Sequence, residues 1–244
     1  MIHKTEGIVL KTIKHQDQNL ITTLFTREYG LQSFLLSGFR TAKSRKTHSF
    51  FQPLSIVQIV YRERPNRGLH KITETQMAEM LFEVQTHPVK MSLGLTLVEI
   101  FGDTVQEEGP NLPLYEGFRE VILALDRRDQ RLIQIFLYYL IQHTRYLGFY
   151  PNDRTEGSRK VRFDIQGGTL WQGIEEDSVA ALFRRFMYTD LSELPDPNSC
   201  QQLTFPGLLK RQLIRLIFDY YQYHLAGFKY PQTMKVFAEL FQDG

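Results

Sequence analysis

The stretch PLSIVQIVYR, residues 53–62, has the period of a β-strand. Its two-residue alternation places Val57, Ile59 and Tyr61 on one face, together with Ser55. The turn sequence ERPNRG follows, and LHKITET (69–75) then resumes the strand pattern. These residues predict two consecutive strands joined by a polar turn.

The residues before this pair carry the same pattern. TEGIVLKTIK (5–14) is rich in β-branched residues, LITTLFT (20–26) follows a polar turn, and LQSFLLSG (31–38) follows the turn REYG. Five short strands joined by turns fit a small closed barrel, which leaves few exposed strand edges. We predict an OB-fold barrel over residues 1–76, with an SH3-like barrel as the alternative.

From about Met77 the apolar period becomes helical. Candidate helices cover 77–85, 89–108, 113–126, 129–147, 175–188 and 206–227. We expect 129–147, which is rich in large apolar residues, to be the central buried helix. Near 158–173, the segments VRFDI and TLW flank a Gly-Gly turn, which predicts a β-hairpin inserted among the helices. The predicted fold class is α+β, with an OB-fold domain at 1–76 and an otherwise all-α domain at 77–244.

The charge distribution supports two modules. The 244 residues contain 29 Lys or Arg and 27 Asp or Glu. Up to Phe82 there are twelve basic and six acidic residues, a balance of +6, and the remaining seventeen basic and twenty-one acidic residues give −4. A basic first module favours contact with a polyanion.

Cysteine content and hydropathy exclude several classes of protein. The single cysteine, Cys200, rules out an intrachain disulfide and a cysteine-rich zinc site. The longest segments without a formal charge, 47–61 and 132–144, are shorter than the roughly 20 apolar residues of a membrane span. The first residues reach Lys4 and Glu6 too early for the apolar core of a signal peptide. These features predict a cytoplasmic protein.

The most informative feature is the basic segment GFRTAKSRKTHS, residues 38–49, between two predicted strands. Exposed cations on a barrel suit a nucleic-acid backbone, because each phosphate contact releases counterions. A second basic segment is the connection 62–71 between the last two predicted strands. The candidate nucleic-acid-binding residues in the two segments are Arg40, Lys43, Arg45, Lys46, Arg62, Arg64, Arg67 and Lys71. The aromatic residues Phe39, Phe50, Phe51 and Tyr61 are candidates for base stacking, with core packing as the alternative.

A second basic set lies on the predicted helix 206–227, beside an apolar stripe. Lys210, Arg211 and Arg215 border this stripe, an arrangement that suits a peptide with an acidic tail. The alternative is a solvated helix flank in which Arg215 pairs with Asp219 one turn later.

Catalytic patterns are weak. Glu107 with Glu108, and Glu175 with Glu176 and Asp177, are the tight acidic groups that Mg²⁺ would require. Acidic residues at a helix N-terminus also favour the helix dipole, which is the simpler explanation of the second group. The sequence has no GxxxxGK[ST] or GxGxxG phosphate-binding motif. We predict that the protein is not an enzyme.

Several short motifs occur in an order and spacing that match a known family. They are GIVL (7–10), LFTREYG (24–30), GFR (38–40) with Lys43 and Ser44, QPL (52–54), LGFYP (147–151) and YHL (223–225). Together they resemble the bacterial recombination mediators of the RecO family. The resemblance implies an OB-fold and a helical domain that bind single- and double-stranded DNA and anneal complementary strands without a cofactor. It also implies a role in DNA repair near the bacterial nucleoid.

The resemblance implies protein partners as well. Such proteins act with RecR to load RecA onto DNA coated by single-strand-binding protein (SSB), and they dock the acidic C-terminal tail of SSB on the helical domain. Arg131 and Arg145 therefore compete with the set on 206–227 as tail-binding residues. Many relatives carry a four-cysteine zinc module after the LGFYP position, whereas residues 152–173 contain no cysteine. We predict that this module binds no zinc here.

Two other functions stay open on the residues alone. One is a protein-interaction adaptor whose basic barrel is incidental. The other is a metal-dependent nuclease that uses the acidic groups. The sequence leaves His143 and Trp171 without a role, and core packing is the simplest expectation for both.

Overall fold

A computed structural model describes residues 1–15, 19–37, 49–63, 68–105, 109–175, 177–192, 194 and 206–234. The chain divides into two compact units, Met1–Asp126 and Arg127–Gly244. None of the helices in the described part combines the length and apolarity that crossing a membrane requires.

The first unit begins with a closed barrel, formed among the described residues by five strands. The strands are β1 (Ile2–His15), β2 (Asn19–Thr26), β3 (Gly30–Ser37), β4 (Ile56–Arg62) and β5 (His70–Met77). Their order is β1-β2-β3-β5-β4, and the pairs are antiparallel except for the parallel pair β3–β5. This is the arrangement of an OB-fold rather than an SH3-like barrel, so the predicted fold is confirmed.

The alternation in β4 builds the barrel core. Val57, Ile59 and Tyr61 point inward and are each at most 3% exposed. β1 pairs with β4 along its first half and with β2 along its second half, and its register against β2 shifts between Val9 and Lys11. Such a shift bends a strand, which lets β1 curve around the barrel. The predicted inward face of β4 is confirmed.

Two predicted boundaries are wrong for local reasons. β4 begins at Ile56 rather than at residue 53, because Leu54 adopts a left-handed turn (φ 75°) and donates its N–H to the Val9 carbonyl at 3.0 Å. The predicted helix 77–85 shrinks to Glu83–Thr86. Its first residues instead extend the sheet, where Ala78 donates its N–H to the Ile56 carbonyl at 2.9 Å.

Three described helices complete the first unit: α1 (Glu83–Thr86), α2 (Pro88–Thr104) and α3 (Leu112–Arg127). The Phe25 ring of the barrel lies 4.9 Å from that of Phe101 on α2, and Phe101 stacks on Phe118 of α3 at 4.2 Å. Barrel and helices therefore share one apolar core. The predicted division between residues 76 and 77 falls at the end of β5, and as a domain boundary it stays a prediction.

The second unit contains α4 (Leu132–Tyr146), α5 (Ser178–Met187) and α6 (Gly207–His224). Ile135, Phe136 and Leu140 of α4 are completely buried, and the Tyr221 hydroxyl of α6 donates to the Leu140 carbonyl at 2.7 Å. The prediction that this helix is central and buried is confirmed.

A small sheet follows α4. Its strands among the described residues are β6 (Asn152–Arg154), β7 (Val161–Asp164) and β8 (Thr169–Gln172), in the order β6-β8-β7. The antiparallel pair β7–β8 is the predicted hairpin, and β6 adds a parallel strand that the sequence did not indicate. Gly168 turns the hairpin with φ 56°, and a Cβ there would lie 2.8 Å from the Tyr220 hydroxyl. The turn thus requires glycine.

Asp153 ties this sheet to α5. Its carboxylate accepts hydrogen bonds from the Thr155 N–H and hydroxyl at 2.9 and 2.6 Å, and from the Tyr188 hydroxyl at 2.9 Å. Arg184 of α5 donates its Nε–H to the same carboxylate at 2.6 Å and an Nη1–H to the Ser158 carbonyl at 3.0 Å. The ion pair between Asp153 and Arg184 therefore holds the small sheet against α5, in a region (152–173) that contains no cysteine.

Candidate nucleic-acid interface

Two of the predicted cations face each other across the barrel sheet. Arg62 is the last residue of β4 and pairs with Lys71 near the start of β5, and both side chains are exposed. Side chains that pair directly across antiparallel strands are about 5 Å apart at Cβ. The second basic connection therefore begins and ends in adjacent positive charges.

The other six predicted cations lie outside the described residues. They are Arg40, Lys43, Arg45, Lys46, Arg64 and Arg67. The strands that anchor their segments are described: the first basic segment leaves β3 after Ser37, and Leu35 of the same strand pairs with Lys71 of β5. Ser37 therefore lies about 7 Å along β3 from the residue that pairs with Lys71. The first basic segment thus starts from β3, and the second ends on the neighbouring strand β5.

Aromatic rings fill the barrel beside the second connection. The Tyr61 ring is 3% exposed, stacks on His3 at 5.1 Å and meets the edge of Phe34 at 5.0 Å. Burial raises the pKa of the Tyr61 hydroxyl to about 12. Phe51 is 1% exposed and Phe50 packs against the same core. Core packing, the alternative to base stacking, therefore holds for these residues, while Phe39 lies outside the described residues.

Glu63 places a negative charge at the root of this connection. His3 donates its Nε2–H to Glu63 at 3.0 Å and also hydrogen-bonds the Tyr29 hydroxyl through Nδ1 at 3.0 Å. The hydrogen bond from His3 lowers the pKa of Glu63. This carboxylate offsets positive charge beside His3, whereas Arg62 and Lys71 lie exposed on the neighbouring strand ends.

Sequence reasoning missed two cations on β1. Lys11 and Lys14 are exposed and lie opposite Thr23 and Leu20 of β2. The only signal was their occurrence in the strand LKTIK, which the strand pattern had absorbed. Because side chains alternate along a strand, these two cations add positive charge on opposite faces of β1.

The basic set on α6 stays close together. Arg211 and Arg215 are exposed and one helical turn apart, and Lys210 is half-buried beside them. Arg215 lies 3.9 Å from the carboxylate of Asp219, with 83% of its side chain exposed. The pairing expected for a solvated helix flank is thus present.

The two competing arginines cannot serve one small ligand together. Arg131 precedes α4 and Arg145 lies in its last turn, so they are about 20 Å apart along the axis. Arg145 covers the Tyr150 ring at 4.3 Å. Arg131 adopts a left-handed conformation (φ 61°), and its buried Nη1 atom lacks a hydrogen-bond partner among the described residues.

Comparison with known proteins identifies the family. The family model for the N-terminal region of recombination protein O matches residues 1–81. The DNA repair protein RecO of Phocaeicola vulgatus is 30% identical, over 99% of this chain and 100% of that protein. The chain belongs to the RecO family. The DNA repair protein RecO of Flavobacterium psychrophilum is 28% identical over 98% of both chains.

RecO family membership indicates a role in DNA repair and recombination. The region matched by the RecO family model ends four residues after β5 and so spans the barrel and both basic segments. The full-length RecO relatives also cover the helices and the small sheet.

The acidic groups considered as Mg²⁺ ligands are only partly described in this RecO family member. Asp177 caps α5, accepting the N–H groups of Val179 and Ala180 at 3.0 Å each. Glu107, Glu108 and Glu176 lie outside the described residues. Within the part of the chain that the structure describes, no group of three or more His, Cys, Asp or Glu could hold a metal ion.

Two residues whose role the sequence left open differ in their burial. His143 is completely buried between Tyr139 and Tyr221, as expected. Trp171 is 43% exposed on β8, so the expectation that it packs in the core is wrong. The inward places on this sheet are taken by Val161 and Leu170, which forces Trp171 outward.

Proposed function

We propose that this protein is a recombination mediator that binds single- and double-stranded DNA and anneals complementary strands. One observation carries the proposal: both basic segments are rooted on neighbouring strands of an OB-fold barrel. With RecR, the protein assists the loading of RecA onto single-stranded DNA coated by SSB. It does so in the bacterial cytoplasm, in association with the nucleoid.

The proposed mechanism is electrostatic and needs neither a cofactor nor a covalent step. Two DNA strands repel each other through their phosphates, and a shared basic surface lowers that repulsion. Arg62 and Lys71 supply described charges, the two basic segments supply six more, and Lys11 and Lys14 add charge on the two faces of β1. Because backbone contacts carry no sequence information, annealing is expected to be independent of sequence.

The second unit is the proposed site for the acidic tail of SSB. Lys210, Arg211 and Arg215 on α6 form the favoured set because they lie within two turns of one helix. Arg131 and Arg145 are the alternatives, each as a separate site. An acidic tail held there brings the coated strand to the barrel at high local concentration.

The test is the annealing of two complementary oligonucleotides, either naked or coated with the cognate SSB. We expect acceleration with both substrates, and loss of the acceleration on coated DNA when the SSB tail is deleted. Acceleration on naked DNA alone would discard the tail site. No acceleration with either substrate, from a folded sample, would favour the adaptor function instead.

Two charge-removal variants separate the proposed surfaces. Replacing Arg40, Lys43, Arg45 and Lys46 with Ala should slow annealing of naked and coated strands alike. Replacing Lys210, Arg211 and Arg215 with Ala should slow only the coated strands. Each variant is the control for the other, and circular dichroism verifies folding. Unchanged DNA affinity in the first variant would remove the basic segment 38–49 from the mechanism.

A further inference from the structure

The small sheet of the second unit has one buried and one exposed face. Val161 and Leu170 are at most 1% exposed, and the Phe163 ring stacks on Phe183 of α5 at 4.6 Å. Phe163 also meets the Tyr220 ring of α6 at 5.0 Å. These contacts fix the sheet on the helices, so the side chains on its other face stand on a rigid support.

The exposed face carries an arginine–tryptophan–arginine row. Trp171 lies on the central strand β8, and its register partners are Arg154 on β6 and Arg162 on β7. All three side chains are exposed, and the Arg154 guanidinium lies 5.1 Å from the centre of the indole ring. A large apolar ring is thus held at the surface between two cations, without a covering element among the described residues.

Further charges surround this row. Arg159 and Lys160 are exposed just before β7, and the Lys160 carbonyl accepts the Gly173 N–H at 2.8 Å, which holds it beside β8. Asp164 and Glu175 are exposed carboxylates nearby. The positive charges are therefore concentrated around the indole ring, and the negative charges lie toward the ends of β7 and β8.

We infer that this face is a second contact surface for single-stranded DNA, on which Trp171 stacks with one unpaired base while Arg154 and Arg162 contact the neighbouring phosphates. Aromatic side chains within a basic surface bind single strands in this way, because every base offers a flat ring and every linkage a negative charge. Strands β6 and β7 are about 10 Å apart, so the two arginines flank Trp171 at a distance that suits phosphates on either side of a base stacked on the indole.

This inference rests on the proposed DNA-binding function and adds a site on the other compact unit. A single strand suits the face better than a duplex because a paired base is already stacked on its neighbours. An acidic peptide would satisfy the arginines but would leave the indole ring without a flat partner. The observed row therefore favours a nucleic acid.

The chain reports on this site through its own fluorescence, since Trp171 is the only tryptophan. A dye-labelled oligo-dT is titrated at low salt while its polarisation and the Trp171 emission are recorded together. We expect the emission to be quenched over the same concentrations that raise the polarisation. A rise in polarisation with unchanged emission would overturn this inference alone. No rise in polarisation would overturn the proposed DNA binding and this inference with it.

Variants test the stacking. Trp171→Ala should weaken oligo-dT binding about tenfold, in line with the stacking of one base, and Trp171→Phe should recover part of the loss. Tyr223→Ala removes another exposed aromatic ring of the same unit (56% exposed) and should leave the affinity unchanged. Equal losses in the Trp171→Ala and Tyr223→Ala variants would contradict the inference, as would an intact affinity in both.

The arginines and the type of ligand are tested separately. Replacing Arg154 and Arg162 with Ala should make the slope of log affinity against log salt shallower by about 1.4, the value for two single-strand phosphates. Removing Arg127 and Lys229, two exposed cations outside the small sheet, should not change the slope. Quenching by a duplex of equal length as strong as that by oligo-dT, or quenching by an acidic peptide alone, would overturn the assignment.

Discussion

His143 shows how one buried side chain makes the second unit sensitive to acid. Its ring stacks on Tyr139 at 5.1 Å, and Nδ1 is hydrogen-bonded to the Tyr139 hydroxyl at 3.1 Å. Burial lowers the pKa of His143 to about 3. In the unfolded chain the same group takes up a proton near pH 6.5. Protonation therefore favours the unfolded chain as the pH falls below that value.

Replacing His143 with Phe should flatten the acid dependence of stability. Between about pH 6.5 and pH 3, the His143 proton costs the wild-type protein about 1.4 kcal/mol of unfolding free energy per pH unit. Urea unfolding of both proteins between pH 7.5 and 5 measures the difference. His143→Phe is expected to be less stable at pH 7.5 and to lose its disadvantage as the pH falls. Parallel curves would contradict the assignment.

Asp153 responds to acid at a lower pH. Partial burial raises the pKa of its carboxyl group, but the hydrogen bonds from Thr155, Arg184 and Tyr188 outweigh that effect and lower the pKa to about 2. Because the folded-state pKa is depressed, the stabilisation is present above about pH 4 and is lost as the pH falls toward 2.

Asp153→Asn should destabilise the second unit by about 1–3 kcal/mol at neutral pH, since it removes hydrogen bonds to a charged group. The difference from wild type should shrink below pH 4, which chemical denaturation between pH 6 and 2.5 measures. Asp164→Asn is the matched control, because Asp164 is exposed on the same sheet and accepts only a local N–H, from Gln166 at 3.1 Å, among the described contacts. An equal loss in both variants would rule out the proposed role of Asp153.

Among elements, the packing of α3 on the barrel depends on one arginine. Arg119 of α3 donates its Nε–H to Glu6 of β1 at 3.0 Å and also pairs with Glu79, just after β5. The Tyr115 hydroxyl of α3 donates to the same Glu6 at 2.9 Å. One half-buried cation thus connects the first strand, the last strand and a helix.

Arg119→Ala should lower the unfolding free energy of the first unit by about 2–3 kcal/mol, because two carboxylates lose their partner in a half-buried site. Arg27→Ala is the matched control: Arg27 also pairs with α3, through Glu116 at 2.8 Å, but both side chains are exposed. Its loss should stay below about 1 kcal/mol. Thermal or urea unfolding compares the two, and a larger loss in Arg27→Ala would contradict this account.

Elements with a local pattern could be predicted from the sequence, and elements set by distant contacts could not. The face of β4 follows from its alternation, and the hairpin β7–β8 follows from two short apolar segments around Gly168. β6 escaped prediction because its parallel pairing with β8 joins residues that are distant in sequence. The predicted helix 77–85 failed because β4 holds its first residues in the sheet.

The candidate site divides in the same way. Charge density alone indicated the basic segments, since lysine and arginine are rarely buried without a partner. The exposure of Trp171 depends on which face of the small sheet α5 and α6 cover, and no local pattern contains that information. Lys11 and Lys14 were overlooked because the strand pattern accounts for both residues without reference to their exposure.

For the whole molecule, the compact unit Met1–Asp126 suggests that the barrel does not fold well alone. Phe25 is completely buried, and it packs against Phe101 and Tyr115, which a 1–76 fragment lacks. Each large apolar side chain left exposed costs about 1.5–3 kcal/mol. Fragment 1–126 should unfold cooperatively in urea, and fragment 1–76 should be far less stable. Equal stability would support a domain boundary at residue 76 instead.

The ion pair that closes the small sheet has a consequence for the conditions in which the protein can work. Asp153 and Arg184 are supplied by the chain itself, and residues 152–173 contain no thiol. Peroxides and scarcity of trace metals damage modules built on cysteine and zinc. A cell under oxidative attack breaks its DNA and strips such modules at the same moment. In this protein, the contact that closes the small sheet is a carboxylate–guanidinium pair, which peroxides and metal scarcity leave intact.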